Sequence, residues 1–241
     1  MATLIAAMSR VVQLLIVAVL AAVVVVGAVV VSSNGGDEAP APVSSTPGAT
    51  PAEDVQALYE GIPQDGIRLG DPDAPVTLVE IADLQCPFCA QYSVQAMPTI
   101  VRDYVRTGKV RYELRIRSFL GRDSVRAAGA AAAAAKQDRM YEFADLFYRN
   151  QGPENSDYAD DAFMRDIASQ VEGLDVERVV AAADDPLAQP AVAAGEQFAR
   201  DIGSTGTPDF YVRKGGELTP LAPQGTSPEA YAAALDEALG S

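Results

Sequence analysis

Hydrophobic residues are distributed in three regimes along the chain. Residues 11–31 read VVQLLIVAVLAAVVVVGAVVV, with Gln13 as the only strongly polar side chain. A helix of that length can cross a bilayer. Arg10 precedes it and Asp37 and Glu38 follow, so the positive-inside tendency puts the N terminus in the cytoplasm and the rest of the chain outside. A cleaved signal peptide is the competing reading, although such apolar regions usually run to about 7–15 residues. Residues 32–54 are rich in Ser, Pro, Gly and Ala without apolar periodicity, the composition of a disordered linker.

From Val55 onward the pattern is that of a folded domain. VQALYEGI predicts a short helix, and IRLG and VTLVEIAD predict strands. A helix is expected over 86–106, kinked at Pro98, then a strand at 110–117. Five helices follow at 122–136, 139–150, 160–171, 175–183 and 189–202, separated by signals such as Gln151-Gly152-Pro153 and Asp185-Pro186. Strands return at DFYVRK and ELTPLAP, and Ser227 followed by proline caps a last helix. This order describes an α/β domain over 55–241, a small sheet interrupted by a helical insertion at about 120–202.

Composition narrows the chemistry. The 241 residues contain no histidine and no tryptophan, which removes Ser-His-Asp hydrolysis, Cys-His proteolysis and His-ligated zinc. Every acidic residue lies at or beyond Asp37 and the net charge is −15, so the domain repels nucleic acid. The acidic cluster Asp157, Asp160, Asp161 and Asp166 has no EF-hand spacing and reads as a solvated helix face. Arg111, Arg115 and Arg117 alternate along one strand face, which reads as an exposed or edge face. The alanines at 130–135 favour helix or permit close helix packing.

The chain has two cysteines, and they stand three apart as CPFC, Cys86-Pro87-Phe88-Cys89, at a strand-to-helix junction. Two cysteines placed at random would fall so roughly once in a hundred such chains. The first thiol lies at a helix N terminus, where free amides and the dipole favour the thiolate, the form that attacks a disulfide. Cys89, one turn further on, can resolve the mixed disulfide. Half a zinc site lacks the other ligands, and no metal is expected. A structural bridge closing so short a loop adds little stability. A second motif, GSTGTP at 203–208, directly precedes the strand DFYV. A cis proline there would offer the Thr207 main chain to an extended substrate; an ordinary loop proline before an edge strand is the other reading.

Strand, CPxC, helix, helical insertion and a Gly-Thr-Pro turn before a strand together resemble the DsbA-like thioredoxin-fold disulfide oxidoreductases, in a membrane-anchored bacterial, actinobacterial form. The resemblance covers roughly residues 62–241. It implies a thioredoxin-like fold with a helical insertion, preceded here by an N-terminal transmembrane helix and flexible linker. It implies Cys86 as nucleophile, Cys89 as resolving thiol, and Thr207 and Pro208 as the cis-proline pair that binds substrate beside Pro87 and Phe88. An acidic residue beneath the cysteines moves protons in the family, and Glu80 in VTLVEIAD is similar to it. Both faces of that strand are mostly apolar, as in a covered central strand where a carboxyl would have a raised pKa; a rim carboxylate is the other reading. Histidine stands between the cysteines of the family's strongest oxidants, and Pro87-Phe88 cannot supply its charge. The Cys86 pKa is therefore expected below that of a free thiol but above the family's most acidic cases.

The implied activity is oxidation of cysteine pairs in unfolded exported proteins bearing thiols, by a single-pass membrane protein whose C-terminal domain is extracytoplasmic. The resemblance further implies reoxidation by a quinone-linked membrane partner, with no cofactor in the chain itself. A reductase or isomerase on the same scaffold, and a tethered binding or chaperone module with a structural disulfide, are the alternatives.

Overall fold

The computed structural model describes residues 49–186 and 189–240. The span expected at 11–31, and residues 32–48 of the expected linker, lie outside the described residues. Among the described residues no helix is long and apolar enough to cross a membrane.

The first helix, α1 (Pro51–Tyr59), begins inside the stretch expected to be linker. Its start is set by a capping box: the Glu53 amide donates to Thr50 Oγ1 at 3.3 Å and the Thr50 amide to Glu53 Oε2 at 2.7 Å. Composition alone hides this, because one helix turn rich in Pro, Ala and Glu looks like the tether before it. Val55 and Tyr59 anchor the helix in the core.

Six strands form one sheet: β1 (Gln64–Asp65), β2 (Arg68–Leu69), β3 (Val76–Ala82), β4 (Val110–Ile116), β5 (Asp209–Lys214) and β6 (Glu217–Pro220), in the order β1-β2-β4-β3-β5-β6. The central pair β3 and β4 is parallel, joined by a crossover through α2 (Pro87–Gln95) and α3 (Met97–Ile100). The break between these helices comes at Ala96 and Pro98, whose missing amide interrupts the helical ladder, and a π-helical turn (Val101–Val105) completes the crossover. β5 and β6 add antiparallel, and α9 (Pro228–Gly240) starts at Ser227, whose hydroxyl accepts from the Ala230 amide. The strand expected through 223 ends at Pro220.

The helical insertion comprises α4 (Arg122–Ala135), α5 (Met140–Arg149), α6 (Asp161–Ser169), α7 (Val176–Asp184) and α8 (Pro190–Asp201). The alanine run of α4 is buried, and a Cβ on Gly129 would stand 2.2 Å from the Ala182 carbonyl, so the small side chains let α4 and α7 touch backbone to backbone. Gly195 does the same for α8 against Ile116 of β4. In the acidic cluster Asp160 caps α6 by accepting from the Phe163 amide, and Asp161 pairs with Arg126.

Each sheet face has its own cover. On one, Tyr92 of α2 packs tilted and Tyr231 of α9 edge-on against Phe210 of β5, and Tyr141 of α5 meets Tyr112 of β4 edge to face. On the other, Val79, Ile81 and Tyr211 pack with Ala199 of α8. The arginines of β4 require a correction, because this strand lies between β2 and β3 and is not an edge. Arg115 is 16% exposed, lies over the Phe198 ring at 4.1 Å and pairs at 2.7 Å with Glu113, which also binds Arg68 and Arg213. Arg111 pairs with Asp65, and Arg117 donates to the Ser204 carbonyl. Alternation along one strand cannot reveal that a fully buried carboxylate stands among these charges.

Candidate active site

β3 ends at Ala82 and α2 starts at Pro87, leaving a four-residue connector whose geometry is dictated by Asp83. Its carboxylate accepts from the Gln85 amide at 2.8 Å, a turn in which the side chain bonds its own backbone two residues on. It also accepts from the Phe119 and Leu120 amides and from Ser124 Oγ at 2.6 Å, tying the end of β3 to the loop that follows β4. Burial raises the Asp83 pKa against the pull of these donors. The insertion supports the turn from the other side: Gln151 Nε2 donates to the Leu84 carbonyl at 2.7 Å, and the Asn155 amide donates to Gln85 Oε1.

Cys86 is the N-cap of α2, with Pro87 at the first helical position where its missing amide costs nothing. Both thiols are free; Cys86 is 4% exposed and Cys89 fully buried. The protonated Cys86 Sγ donates to the Thr207 carbonyl at 3.2 Å. Once ionised, it is favoured first by the Cys89 thiol, then by Thr207 and by the Cys89 and Phe88 amides at the helix start, and these outweigh burial to bring its pKa to about 6. The Thr207 hydroxyl is buried and makes no hydrogen bond of ordinary geometry, so it acts on the thiolate only as a nearby dipole; the thiol and amides carry the shift. Burial foremost, with the neighbouring Cys86 and Glu80, pushes Cys89 well above the usual thiol range. One reactive and one latent thiol result. Alkylation of the reduced protein should therefore rise with a midpoint near pH 6 and label Cys86 alone; a midpoint above 8 would show that the helix start does not hold the thiolate.

The structure brings Thr207 and Pro208 to the cysteines, and their peptide bond is cis. Glu80 is 4% exposed, not at a rim, and its Oε2 accepts from Tyr112 Oη at 2.6 Å. Tyr112 Oη, its one proton given to Glu80, accepts from Tyr92 Oη at 3.1 Å. Burial is the main cause that lifts Glu80 to about 7, with a smaller push from Cys86 and an opposing pull from Tyr112. Phe88 is 65% exposed; with Phe119 it makes up the exposed large hydrophobics among the described residues, and Phe119 sits on the loop held by Asp83. Sequence reasoning missed Asp83, Tyr112, Gln85 and Gln151. Asp83 had a legible signal, an Asp two residues before the amide it turns, whereas the others act across 20 or more residues of chain.

A dithiol at the head of the first crossover helix, on a sheet with a parallel central pair, defines a thioredoxin-type protein. The family model described as Thioredoxin matches residues 63–234. The chain belongs to the thioredoxin family, in its DsbA-like, disulfide-exchanging branch. Among curated relatives it is similar to the probable disulfide bond formation protein D of Bacillus cereus, 29% identical over 147 residues that cover 60% of this chain and 68% of that protein. The disulfide bond formation protein D of Bacillus subtilis is 25% identical over 146 residues, covering 60% and 66%. Among solved structures, oxidised BdbD from Bacillus subtilis superposes with a TM-score of 0.64 at 21% identity, covering 73% of this chain and 94% of that one. Wolbachia pipientis alpha-DsbA1 gives 0.60 at 21% identity, covering 72% and 90%.

Proposed function

We propose that this protein oxidises cysteine pairs in exported proteins through a Cys86–Cys89 disulfide. That it exchanges thiols and disulfides follows from its family; the direction, the substrates and the roles of individual residues are the proposal. The observation that carries it is the asymmetry of the two thiols, one held near pH 6 at a helix start and one buried and protonated. A substrate thiolate attacks Cys86 Sγ; the new S–S bond forms as Sγ86–Sγ89 breaks, and the electron pair goes to Cys89, which takes up a proton. A second substrate thiolate then attacks its own sulfur in the mixed disulfide, and Cys86 leaves as a stabilised thiolate. The substrate is oxidised by two electrons and the protein reduced by two.

Glu80, with a pKa of about 7, is the group that donates the proton to Cys89 and recovers it on reoxidation. Thr207 and Pro208 present main chain to an extended substrate, while Pro87, Phe88 and Phe119 offer apolar contact to unfolded chain. Membrane attachment through residues 11–31, an extracytoplasmic domain and a quinone-linked membrane partner that reoxidises the dithiol complete the reading. Its likeness to disulfide bond formation proteins supports it, since such disulfides persist in an oxidising compartment.

The test is the reduction potential of the full chain in glutathione buffers, read by mass after alkylation. A Cys86 pKa between those of strong oxidants and reductases places the expected potential between about −120 and about −200 mV. A value near about −270 mV would mark a reductase and overturn the direction.

A further inference from the structure

Each turn of the exchange moves a proton onto or off Cys89, which is fully buried, through Glu80, which is 4% exposed. Tyr112, whose hydroxyl donates to Glu80, is buried as well. A proton shuttled between two buried groups needs a way to solvent before the next turn.

A cavity of about 20 Å³ opens beside Glu80, lined among others by Tyr92, Ser93, Tyr141, Asp145 and Tyr148, all of them buried. That volume holds one water, and hydroxyls and carboxylates supply its partners. Two carboxylates border it from distant parts of the chain: Glu80 from β3 and Asp145 from α5 in the helical insertion. Asp145 Oδ2 accepts from Tyr59 Oη at 3.2 Å, and Oδ1 from Arg149 Nε at 2.8 Å. The Arg149 side chain is 22% exposed, so this ion pair is where the buried polar set meets solvent. A buried carboxylate bonded to an arginine has a ready structural explanation, but its position on the cavity that Glu80 shares is not required by that pairing.

We propose that Asp145 is the second station of a proton path that joins Glu80 to solvent through this cavity and past Arg149. The path rests on the exchange reading above. When Glu80 has given its proton to the Cys89 thiolate, cavity water reprotonates Glu80 and is itself replenished from the Asp145 carboxyl; reoxidation runs the proton the other way. Burial raises both carboxyls, which favours their protonated forms. The charged and titratable groups that face Glu80 are Cys86, Cys89, Tyr92, Tyr112, Tyr141, Tyr148 and Tyr231; those that face Asp145 are Tyr59 and Arg149, with Glu142 acting on Tyr59. Asp145 acts through Glu80 and is a positioning residue, not a catalytic one.

The test uses the oxidised full-length protein and a peptide carrying two thiols, with single-turnover exchange followed across pH in H₂O and D₂O. Asp145→Asn should slow exchange roughly tenfold at pH 7, raise the solvent isotope effect and flatten the limb of the pH–rate profile set by Glu80. In a Glu80→Gln background it should slow nothing further. Ala144→Val, which fills the cavity and leaves both carboxylates in place, should reproduce these changes even if Asp145→Asn folds poorly. If both variants leave the pH profile and isotope effect as in the parent, or slow the Glu80→Gln protein by the same factor, the path is overturned and the exchange reading survives. A parent protein that does not oxidise the peptide at all overturns both.

Discussion

Cys89→Ser protein incubated with a disulfide-bearing peptide should accumulate a covalent adduct, one peptide half joined to Cys86, while Cys86→Ser protein forms none. The expectation follows from the different places of the two sulfurs. Cys86 is the N-cap of α2, with amides of Phe88 and Cys89 aimed at its ionised form, so it attacks near neutral pH with or without its neighbour. Removing Cys89 takes away the first-ranked donor to that thiolate, so the variant's Cys86 should titrate higher than about 6, yet the amides remain. What the variant lacks is the only thiol placed to break the mixed disulfide from within. Catalysed peptide oxidation should fall in either variant on the order of a thousandfold or more, because the nucleophile and its resolving partner work as a unit. Mass spectrometry of the intact protein reads the adduct. If both variants bound peptide unchanged and non-covalently, the disulfide would be structural and the chain a binding module.

Glu80→Gln should make the protein more stable and slower, and the gain should depend on pH. The folded carboxyl titrates at about 7 against an ordinary 4.5. Below about pH 4.5 it is protonated both folded and unfolded, and the charge contributes nothing to the difference. As pH rises through the ordinary value the unfolded chain releases its proton and the folded one does not, so stability declines until the folded carboxyl also ionises near 7. The loss at pH 8 is about 3 kcal/mol, from a shift of roughly two and a half units. Glutamine can still accept from Tyr112 but carries no charge to desolvate, so the variant should unfold at higher urea than the parent at pH 8 and at similar urea at pH 4. Its exchange rate should drop by roughly a hundredfold, within the range of a lost general acid. Equal urea midpoints at pH 8 would mean that Glu80 is not held in the apolar site described here.

Much of this was legible along the chain because it is local. The mostly apolar run that forms β3, the cysteine at the following helix start, the break at Pro98 and the cap at Ser227 each depend on residues within one or two turns, and the structure has them where the pattern puts them. Glu80 was a candidate through the family resemblance, and the apolar faces of its strand agreed with burial, but its setting was not legible. Strand periodicity gives two faces without saying that Tyr112, 32 residues on, would bond it or that helices from both ends of the domain would close over it. The arginines of β4 were misread for a related reason: β2, a strand of two residues, covers the side of β4 that would otherwise be an edge, and so short a segment carries little periodic signal.

By itself, then, the sequence determined which residues can do chemistry. Two cysteines, no histidine and a CPFC turn at a helix start point to thiol chemistry, and the family resemblance selects disulfide exchange over a structural bridge. The tertiary structure decided how the two thiols differ and where their proton goes. Those depend on desolvation and on pairings such as Cys86 with Thr207, 121 residues away, and Tyr59 with Asp145, 86 residues away. Desolvation is a sum over everything packed around a group, and no local pattern encodes that sum until the sheet and the helical insertion have closed on it.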